Sequence, residues 1–257
     1  MKISFDLISD LYLDQDDFDW SGQATSQFCV VLGNISSDRT ILKSVLKKLA
    51  KCYVLVMFVD GTLEFANEFD NVDKNYRGLK KFLNGIPHLN YLYDNIIVLN
   101  DVAFIGANGW WNFDFAEPHD TDHVINWYTE SKNQPADPDR ILEAAMNDVA
   151  YLLNSIEKLQ HNSDIKHIVV CSHTVPRVDL IEHDIELSGH EKINCMGNQW
   201  LDQIKQVDVA KKIRTWVFGH YSQPVDRILD NIRYVNNVKG PDARVLLPYY
   251  PKRITVG

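Results

Sequence analysis

The chain has 257 residues and a formal net charge of −9, with 45% hydrophobic and 24% charged residues. This length and composition predict an ordinary globular protein with a full core, in one large domain or two small ones. An acidic chain repels phosphate backbones, so we expect no general nucleic-acid binding, although a local basic pocket is not excluded.

The four cysteines, Cys29, Cys52, Cys171 and Cys195, lie far apart and form no C-x-x-C pair. This spacing indicates free thiols and a reducing compartment rather than a disulfide framework. The N-terminus has no long apolar region typical of a secretory signal, and no run approaches the roughly 20 apolar residues of a membrane span. We therefore predict a cytoplasmic protein without membrane contact.

The first part of the chain alternates strands and helices. Apolar runs predict strands over Lys2–Ser9, Phe28–Leu32 and Tyr53–Val59, and apolar residues at helical spacing predict helices over Arg39–Lys51 and about Asn75–Leu83. Asp38 is a suitable N-cap for the first helix. The alternation is typical of an α/β fold with a parallel sheet.

The middle of the chain is less regular. Short strands are predicted over Tyr91–Tyr93, Ile96–Leu99 and Val102–Ile105, and the polar segment 118–138 is predicted as a loop. The aromatic segment Asn108–Phe113 is interpreted as packing, with a stacking wall for a ring as the alternative. A cap or insertion is predicted at about 109–140 within a single domain of residues 1–257.

The last part returns to the α/β pattern. A long helix is predicted over Pro138–Gln160, and a weaker one over Gln199–Val207. The predicted strands are Ile165–Cys171, Ile213–Phe218, Ile228–Leu229, Ile232–Asn236 and an edge strand in the tail 249–257.

Polar residues follow five of these strands, where parallel strands bring their carboxyl ends to one edge of a sheet. They are Asp10, Asn34, Thr62, His173 and His220. Carboxylate, amide and imidazole side chains at such an edge are typical of a binuclear metal site.

The motifs at these strand ends resemble those of the calcineurin-like metallophosphoesterases, in particular members encoded by bacteria and bacteriophages. The family pattern is D-x-H, G-D, G-N-H-[DE], a lone histidine and G-H-x-H, each piece after a strand. The corresponding residues here are Asp10-Leu11-Tyr12, Gly33-Asn34, Gly61-Thr62-Leu63-Glu64, His173 and Gly219-His220-Tyr221-Ser222. The resemblance covers nearly the whole chain and implies two mixed β-sheets sandwiched together and flanked by helices.

The resemblance also implies that most metal-ligand positions are substituted. The family's first metal site corresponds to Asp10, Tyr12 and Ser222, and the bridging aspartate corresponds to Asn34. The second site corresponds to Thr62, His173 and His220 together with the bridging position, and the histidine that protonates the leaving group corresponds to Leu63. The retained candidates for metal binding are therefore Asp10, Asn34, His173 and His220, and Tyr12 and Leu63 would fill the space of the lost site.

These substitutions predict a pseudophosphoesterase that binds a protein partner or a phosphate-containing small molecule without cleaving it. Arg177, close behind His173, is a candidate phosphate contact, with an ordinary surface arginine as the alternative. A second interpretation is a residual one-metal phosphoesterase that holds one zinc or manganese ion weakly. A third is a structural scaffold or subunit.

Overall fold

A computed structural model describes residues 2–13, 19–65, 72–115, 120–130, 137–181, 190–240 and 248–257. The strands are β1 Ile3–Ile8, β2 Phe28–Leu32, β3 Leu55–Val59, β4 Leu89–Tyr91, β5 Ile96–Leu99, β6 Val102–Ala107, β7 His167–Ser172, β8 Ile213–Phe218, β9 Asp226–Leu229, β10 Ile232–Asn236 and β11 Lys252–Val256. The helices are α1 Arg39–Cys52, α2 Val72–Leu83, α3 Thr121–Glu130, α4 Pro138–Gln160, α5 His190–Asn194 and α6 Ile204–Val207.

The strands form two mixed sheets. One has the order β11-β1-β2-β3-β4, with β1 to β4 parallel and β11 antiparallel to β1. The other has the order β5-β6-β7-β8-β10-β9, with β6, β7, β8 and β10 parallel between two antiparallel edge strands. The central parallel strands therefore all end at one edge of their own sheet.

The two sheets pack face to face, with helices on their outer faces. Alternate residues of β1, such as Phe5 and Leu7, enter the core between the sheets. The ring of Phe5 packs edge-to-face against the ring of Phe104 from the other sheet, with 5.3 Å between the ring centroids. On the outer faces, α1 and α2 cover the five-stranded sheet and α4 covers the six-stranded sheet. Because both faces of each sheet are buried, the central strands are apolar on both sides, as predicted.

The helix over Arg39–Lys51 is confirmed, including its cap, because the Asp38 carboxylate accepts hydrogen bonds from Thr40 N and Ile41 N. Among the described residues, no helix is long and apolar enough to cross a membrane. All four cysteines are free thiols.

Two parts of the sequence prediction are wrong. The fourth strand is Leu89–Tyr91, not Tyr91–Tyr93, because its pairing with β3 ends at Tyr91. The segment predicted as a loop over 118–138 contains the helix α3, whose Val124 and Tyr128 are buried one turn apart. Because the residues around these two positions are polar, the sequence shows no clear apolar stripe there. The side chain of Asp120 caps the helix by accepting a hydrogen bond from His123 N.

A buried network of acids and tyrosines holds the segment after β6. Asp148 of α4 accepts hydrogen bonds from Gly109 N at 2.8 Å and from the Tyr76 hydroxyl at 3.1 Å. Asp60 accepts from the Tyr91 hydroxyl at 2.6 Å and from Asn108 Nδ2 at 2.9 Å. Burial, reinforced by the charge of Asp60, raises the pKa of Asp148 to about 8, and burial raises the pKa of Asp60 to about 6.

The free energy of unfolding should fall as pH rises from about 4 to the raised pKa of Asp148 at about 8. A carboxyl group with a raised pKa in the folded state contributes stability that is complete below its unfolded pKa of about 4 and is lost as pH rises through about 8. The slope approaches roughly 1.4 kcal/mol per pH unit for one proton. Urea unfolding between these pH values should show a flatter slope for Asp148→Asn, whereas Asp139→Asn, at the exposed start of the same helix, should keep the wild-type slope.

Candidate metal centre

Five strand ends from both sheets meet at one place. Asp10 follows β1, Asn34 follows β2, Thr62 follows β3, His173 follows β7 and His220 follows β8. The structure brings all five together through the contacts described below. Asp10, Asn34 and His220 have positive φ values of 54°, 51° and 62°, as does Tyr12 at 49°. Such left-handed conformations are costly for non-glycine residues and cluster at functional sites.

Gly219 makes the close approach of β8 to the cluster possible. A Cβ atom at this position would lie 2.7 Å from Asp10 Oδ2 and 3.1 Å from His173 Nδ1, so any other residue would displace these side chains. The framing glycine that the sequence singled out is therefore required by packing.

The amide of Asn34 is saturated with hydrogen bonds. Its Nδ2 donates to Asp10 Oδ1 at 2.9 Å and to the Tyr12 hydroxyl at 3.0 Å. Its Oδ1 accepts from Leu63 N at 2.9 Å and from Thr62 Oγ1 at 3.1 Å. The backbone donor at Leu63 fixes which end of the amide is oxygen. Two donors and two acceptors exhaust the capacity of the group, so Asn34 has no lone pair left for a metal ion.

His173 and His220 each carry a buried ring nitrogen that lacks a hydrogen-bond partner among the described residues. His173 Nδ1 donates to the carbonyl oxygen of Leu32 at 2.8 Å, which leaves a lone pair on its unpartnered Nε2. His220 has an unpartnered Nδ1, and its ring meets that of His173 at a centroid distance of 5.0 Å. Burial lowers the pKa of each histidine to about 4, so both rings are neutral at pH 7. A neutral imidazole with a free lone pair is the metal-binding form.

Asp10 completes this cluster. One ligand atom each from Asp10, His173 and His220 lies within 4.8 Å of the others. The carboxylate is oriented by Ser9 Oγ, by His220 N at 2.9 Å and by Asn34 Nδ2. Burial raises the pKa of Asp10, and the hydrogen bond from Ser9 opposes this effect.

Glu64 ties together the two loops that carry Asn34 and Thr62. Its carboxylate accepts from Gly61 N at 2.7 Å, Ile35 N at 2.8 Å and Asn34 N at 2.9 Å. Burial raises the pKa of Glu64 to about 7, against the lowering effect of these three bonds. The motif that contains Glu64 indicates no role for this residue.

The aromatic segment is packed, as predicted, and it also covers the site. Trp110, Trp111 and Phe113 are buried, and Trp111 stacks on the ring of His220 at 5.7 Å and 15°. The contact with His220 was not predicted, because nothing in the sequence relates the segment after β6 to the end of β8. Ser9 was missed in the same way, since its role depends on where Asp10 points.

The remaining predicted site residues differ in burial and in their contacts. Tyr12 is half-buried and bonded to Asn34, and the side chain of Leu63 is half-buried. Ser222 is exposed. The guanidinium group of Arg177 binds the carboxylates of Asp179 and Asp230, so two negative charges already compensate it.

The comparisons with known proteins agree on the architecture. No protein-family model matches the chain. Its fold is similar to that of the phosphopantetheinyl hydrolase of Mycobacterium tuberculosis, with a TM-score of 0.74 and 13% identity, over 98% of this chain and 96% of the other. The chain has the calcineurin-like phosphoesterase fold.

Two further proteins are similar to the chain. A candidate 5′-nucleotidase of Staphylococcus aureus has a TM-score of 0.51 and 14% identity, with 100% of this chain matched to 51% of that one. An uncharacterized protein of Acanthamoeba polyphaga mimivirus is 23% identical over 234 residues, which cover 83% of this chain and 78% of the relative. At these identities the solved structures establish the calcineurin-like fold alone.

The calcineurin-like fold implies a metal centre, and the described residues fit one ion better than two. Asp10, His173 and His220 supply a carboxylate and two neutral imidazoles whose unpartnered nitrogens are buried. This donor set suits a divalent transition-metal ion. The saturated amide of Asn34 offers no bridge to a second ion.

Proposed function

We propose that the chain is a pseudophosphoesterase, which uses the calcineurin-like scaffold to bind a protein partner or a phosphate-containing ligand and does not perform two-metal hydrolysis. The observation that carries this proposal is the amide of Asn34, which stands where the fold family has its bridging aspartate. All four of its hydrogen-bonding positions are occupied within the protein.

Charge supports the same conclusion. Two divalent cations about 4 Å apart need a bridging carboxylate to offset their repulsion. Of the described residues that meet at the cluster, Asp10 alone carries a carboxylate aimed at it, because that of Glu64 is occupied by three backbone amides. Two ions held by one carboxylate would leave a large uncompensated charge in a buried site.

The lack of a proton donor for a leaving group also supports the proposed pseudophosphoesterase. Leu63 stands where the family has the histidine that protonates the leaving group, and its side chain cannot donate a proton. Tyr12 occupies a family ligand position, and burial together with the charge of Asp10 raises the pKa of its hydroxyl. The neutral phenol is bonded to Asn34, so it is a poor ligand for a cation.

The second candidate function is a one-metal phosphoesterase. The unpartnered nitrogens of His173 and His220 beside Asp10 favour it. A bound zinc or manganese ion supplies Lewis-acid polarisation of a phosphoryl oxygen. Asp10 would hold the ion, and its hydrogen bonds from Ser9, Asn34 and the His220 amide would fix the orientation of the carboxylate. The four free thiols support a cytoplasmic location. An origin of the bacterial or bacteriophage type stays a prediction.

Metal titration and turnover together test the proposal. After chelation and dialysis, we expect the protein to take up at most about one equivalent of zinc in calorimetry. His173→Gln should abolish that uptake, because it removes the free imidazole lone pair and keeps a polar group of similar size. The exposed His123→Gln is the matched control.

We expect no measurable hydrolysis of p-nitrophenyl phosphate or of bis-p-nitrophenyl phosphate by the wild type with zinc or manganese. Hydrolysis that needs one equivalent of ion and is lost in His173→Gln would select the one-metal enzyme. Uptake of two equivalents with efficient turnover would contradict both assignments.

A further inference from the structure

Positive charge in this acidic chain is concentrated on two helices. α1 and α2 contain nine of the 26 lysine and arginine residues and one acidic residue, Asp73. These two helices therefore carry a formal charge of +8, and the rest of the chain carries −17. The overall charge of −9 does not reveal this separation.

The two helices form one continuous surface. Both cover the outer face of the five-stranded sheet, and Lys43 of α1 donates to the carbonyl oxygen of Phe82 in α2 at 2.9 Å. Arg39 and Lys43 also lie over the Phe82 ring, at 5.6 and 4.6 Å from its centroid. We define the basic face by its exposed cations: Lys47, Lys51, Lys74, Arg77, Lys80 and Lys81.

Three of these cations are available to a ligand. The ammonium groups of Lys47, Lys51 and Lys81 have no hydrogen-bond or salt-bridge partner among the described residues, unlike the guanidinium of Arg177, whose charge is compensated within the protein. Lys47 and Lys51 are one helical turn apart, which places them roughly 6 Å apart along the helix axis. Two uncompensated cations at this spacing suit successive phosphates of a chain, and Lys81 adds a third uncompensated charge on the same basic face.

A recess opens beside Lys47 and Lys51. It lies between the last turn of α1 and the segment after α2, has a volume of about 640 Å³, and is lined by Lys47, Lys51, Tyr53, Val54, Pro87 and His88, among others. Val54 is 59% exposed there, so part of the lining is apolar. An apolar recess flanked by two lysines matches a ligand that joins a flat base to phosphate groups.

We propose that the basic face binds single-stranded nucleic acid, with the phosphates along Lys47, Lys51 and Lys81 and an unstacked base in the recess. At physiological salt the Debye length is about 8 Å, so carboxylates elsewhere on the surface do not cancel the local attraction. A membrane surface fits less well, because the exposed positions of the described parts of α1 and α2 include no large apolar side chain to insert. The recess adjoins the start of β3, at the opposite edge of the sheet from Asn34 and Thr62, so this binding is separate from the proposed function.

Fluorescence anisotropy with labelled oligo-dT and oligo-U of about 20 nucleotides tests the proposal. We expect the variant Lys47→Glu/Lys51→Glu/Lys81→Glu to bind at least about tenfold more weakly than the wild type. The logarithm of the affinity should be measured against the logarithm of the salt concentration between roughly 0.05 and 0.2 M. The slope of the variant should be shallower than that of the wild type by about 2, because each of the three lost phosphate contacts contributes about 0.7. Val54→Ser should weaken binding at an unchanged slope, because the apolar contact between Val54 and a base releases no counterions.

The matched control reverses the same number of charges on the six-stranded-sheet side, in Lys158→Glu/Lys211→Glu/Arg214→Glu. All six positions are exposed, and circular dichroism with thermal unfolding confirms that both triple variants are folded. Equal weakening by the two triple variants, or no binding by the wild type, overturns the proposal. So does binding to vesicles with roughly 30% phosphatidylserine without binding to oligonucleotides. The wild type could instead self-associate in a salt-sensitive way and bind no oligonucleotide. If only Lys47→Glu/Lys51→Glu/Lys81→Glu loses that self-association, the basic face binds a second copy of the chain and the proposal is overturned.

Discussion

Restoring the substituted family positions together should create a metal-dependent phosphoesterase. We expect the combined variant to bind two divalent ions and to hydrolyse bis-p-nitrophenyl phosphate at least about 10³-fold faster than the wild type. The five substitutions are Tyr12→His, Asn34→Asp, Thr62→Asn, Leu63→His and Ser222→His.

The expected gain is large because these positions act as a unit. The retained Asp10, His173 and His220 already point their ligand atoms at one another, so the new ligands are added to an assembled half-site. A carboxylate at position 34 supplies the missing bridge, and an imidazole at position 63 supplies a proton donor. Ligands and proton donors that work together contribute far more in combination than singly.

Asn34 provides the internal control for this experiment. The variant that restores the other four positions and keeps Asn34 should bind no more than about one ion and should stay inactive, since it lacks the bridge. Asn34→Asp alone should lower the thermal stability of the metal-free protein, because two carboxylates would then face each other where Asn34 Nδ2 now donates to Asp10 at 2.9 Å. Added zinc or manganese should reverse that loss by linkage. Two bound ions without turnover in the five-position variant would contradict the assignment of Leu63 and its neighbours.

Glu64→Ala should lower the free energy of unfolding by at least about 3 kcal/mol. The substitution leaves the backbone amides of Asn34, Ile35 and Gly61 without their acceptor in a buried site. Each unsatisfied buried donor costs about 1–3 kcal/mol, and burial prevents water from replacing the carboxylate freely. Urea denaturation at pH 7, followed by circular dichroism, measures the change.

Two further variants separate the loss of these bonds from the loss of a side chain. Glu64→Gln keeps one carbonyl oxygen as an acceptor, so it should be destabilised less than Glu64→Ala. Glu143→Ala removes an exposed surface pair with Arg140 and should cost less than about 1 kcal/mol. If Glu64→Ala unfolds at the same urea concentration as Glu143→Ala, the three amides do not depend on this carboxylate for stability.

The fold was predictable because its strands and helices follow from local patterns of apolar residues. Buried parallel strands are continuous apolar runs, and the helices repeat apolar residues every turn, so most elements could be read within a few residues. The errors fall where tertiary contacts decide. The helix α3 is held by two buried side chains among polar neighbours, and β4 is bounded by its register with β3.

The candidate site was only partly predictable. Strand ends give the order of Asp10, Asn34, His173 and His220 along the chain, and parallel strands require them to share an edge. Their hydrogen-bond partners cannot be read from the same pattern. Asn34 was interpreted as a weak metal ligand, and the structure shows its amide saturated by four bonds from different segments.

The sequence by itself determined the α/β architecture and the meeting of five strand ends, because both follow from residue type and spacing along the chain. Only the tertiary structure decided which lone pairs remain free, which side chain covers His220 and where the positive charge gathers. These properties arise between segments that are distant in sequence, such as Trp111 and His220, or Lys43 and Phe82. Hydrogen bonding, stacking and electrostatic attraction depend on distances in space, which a linear pattern does not contain.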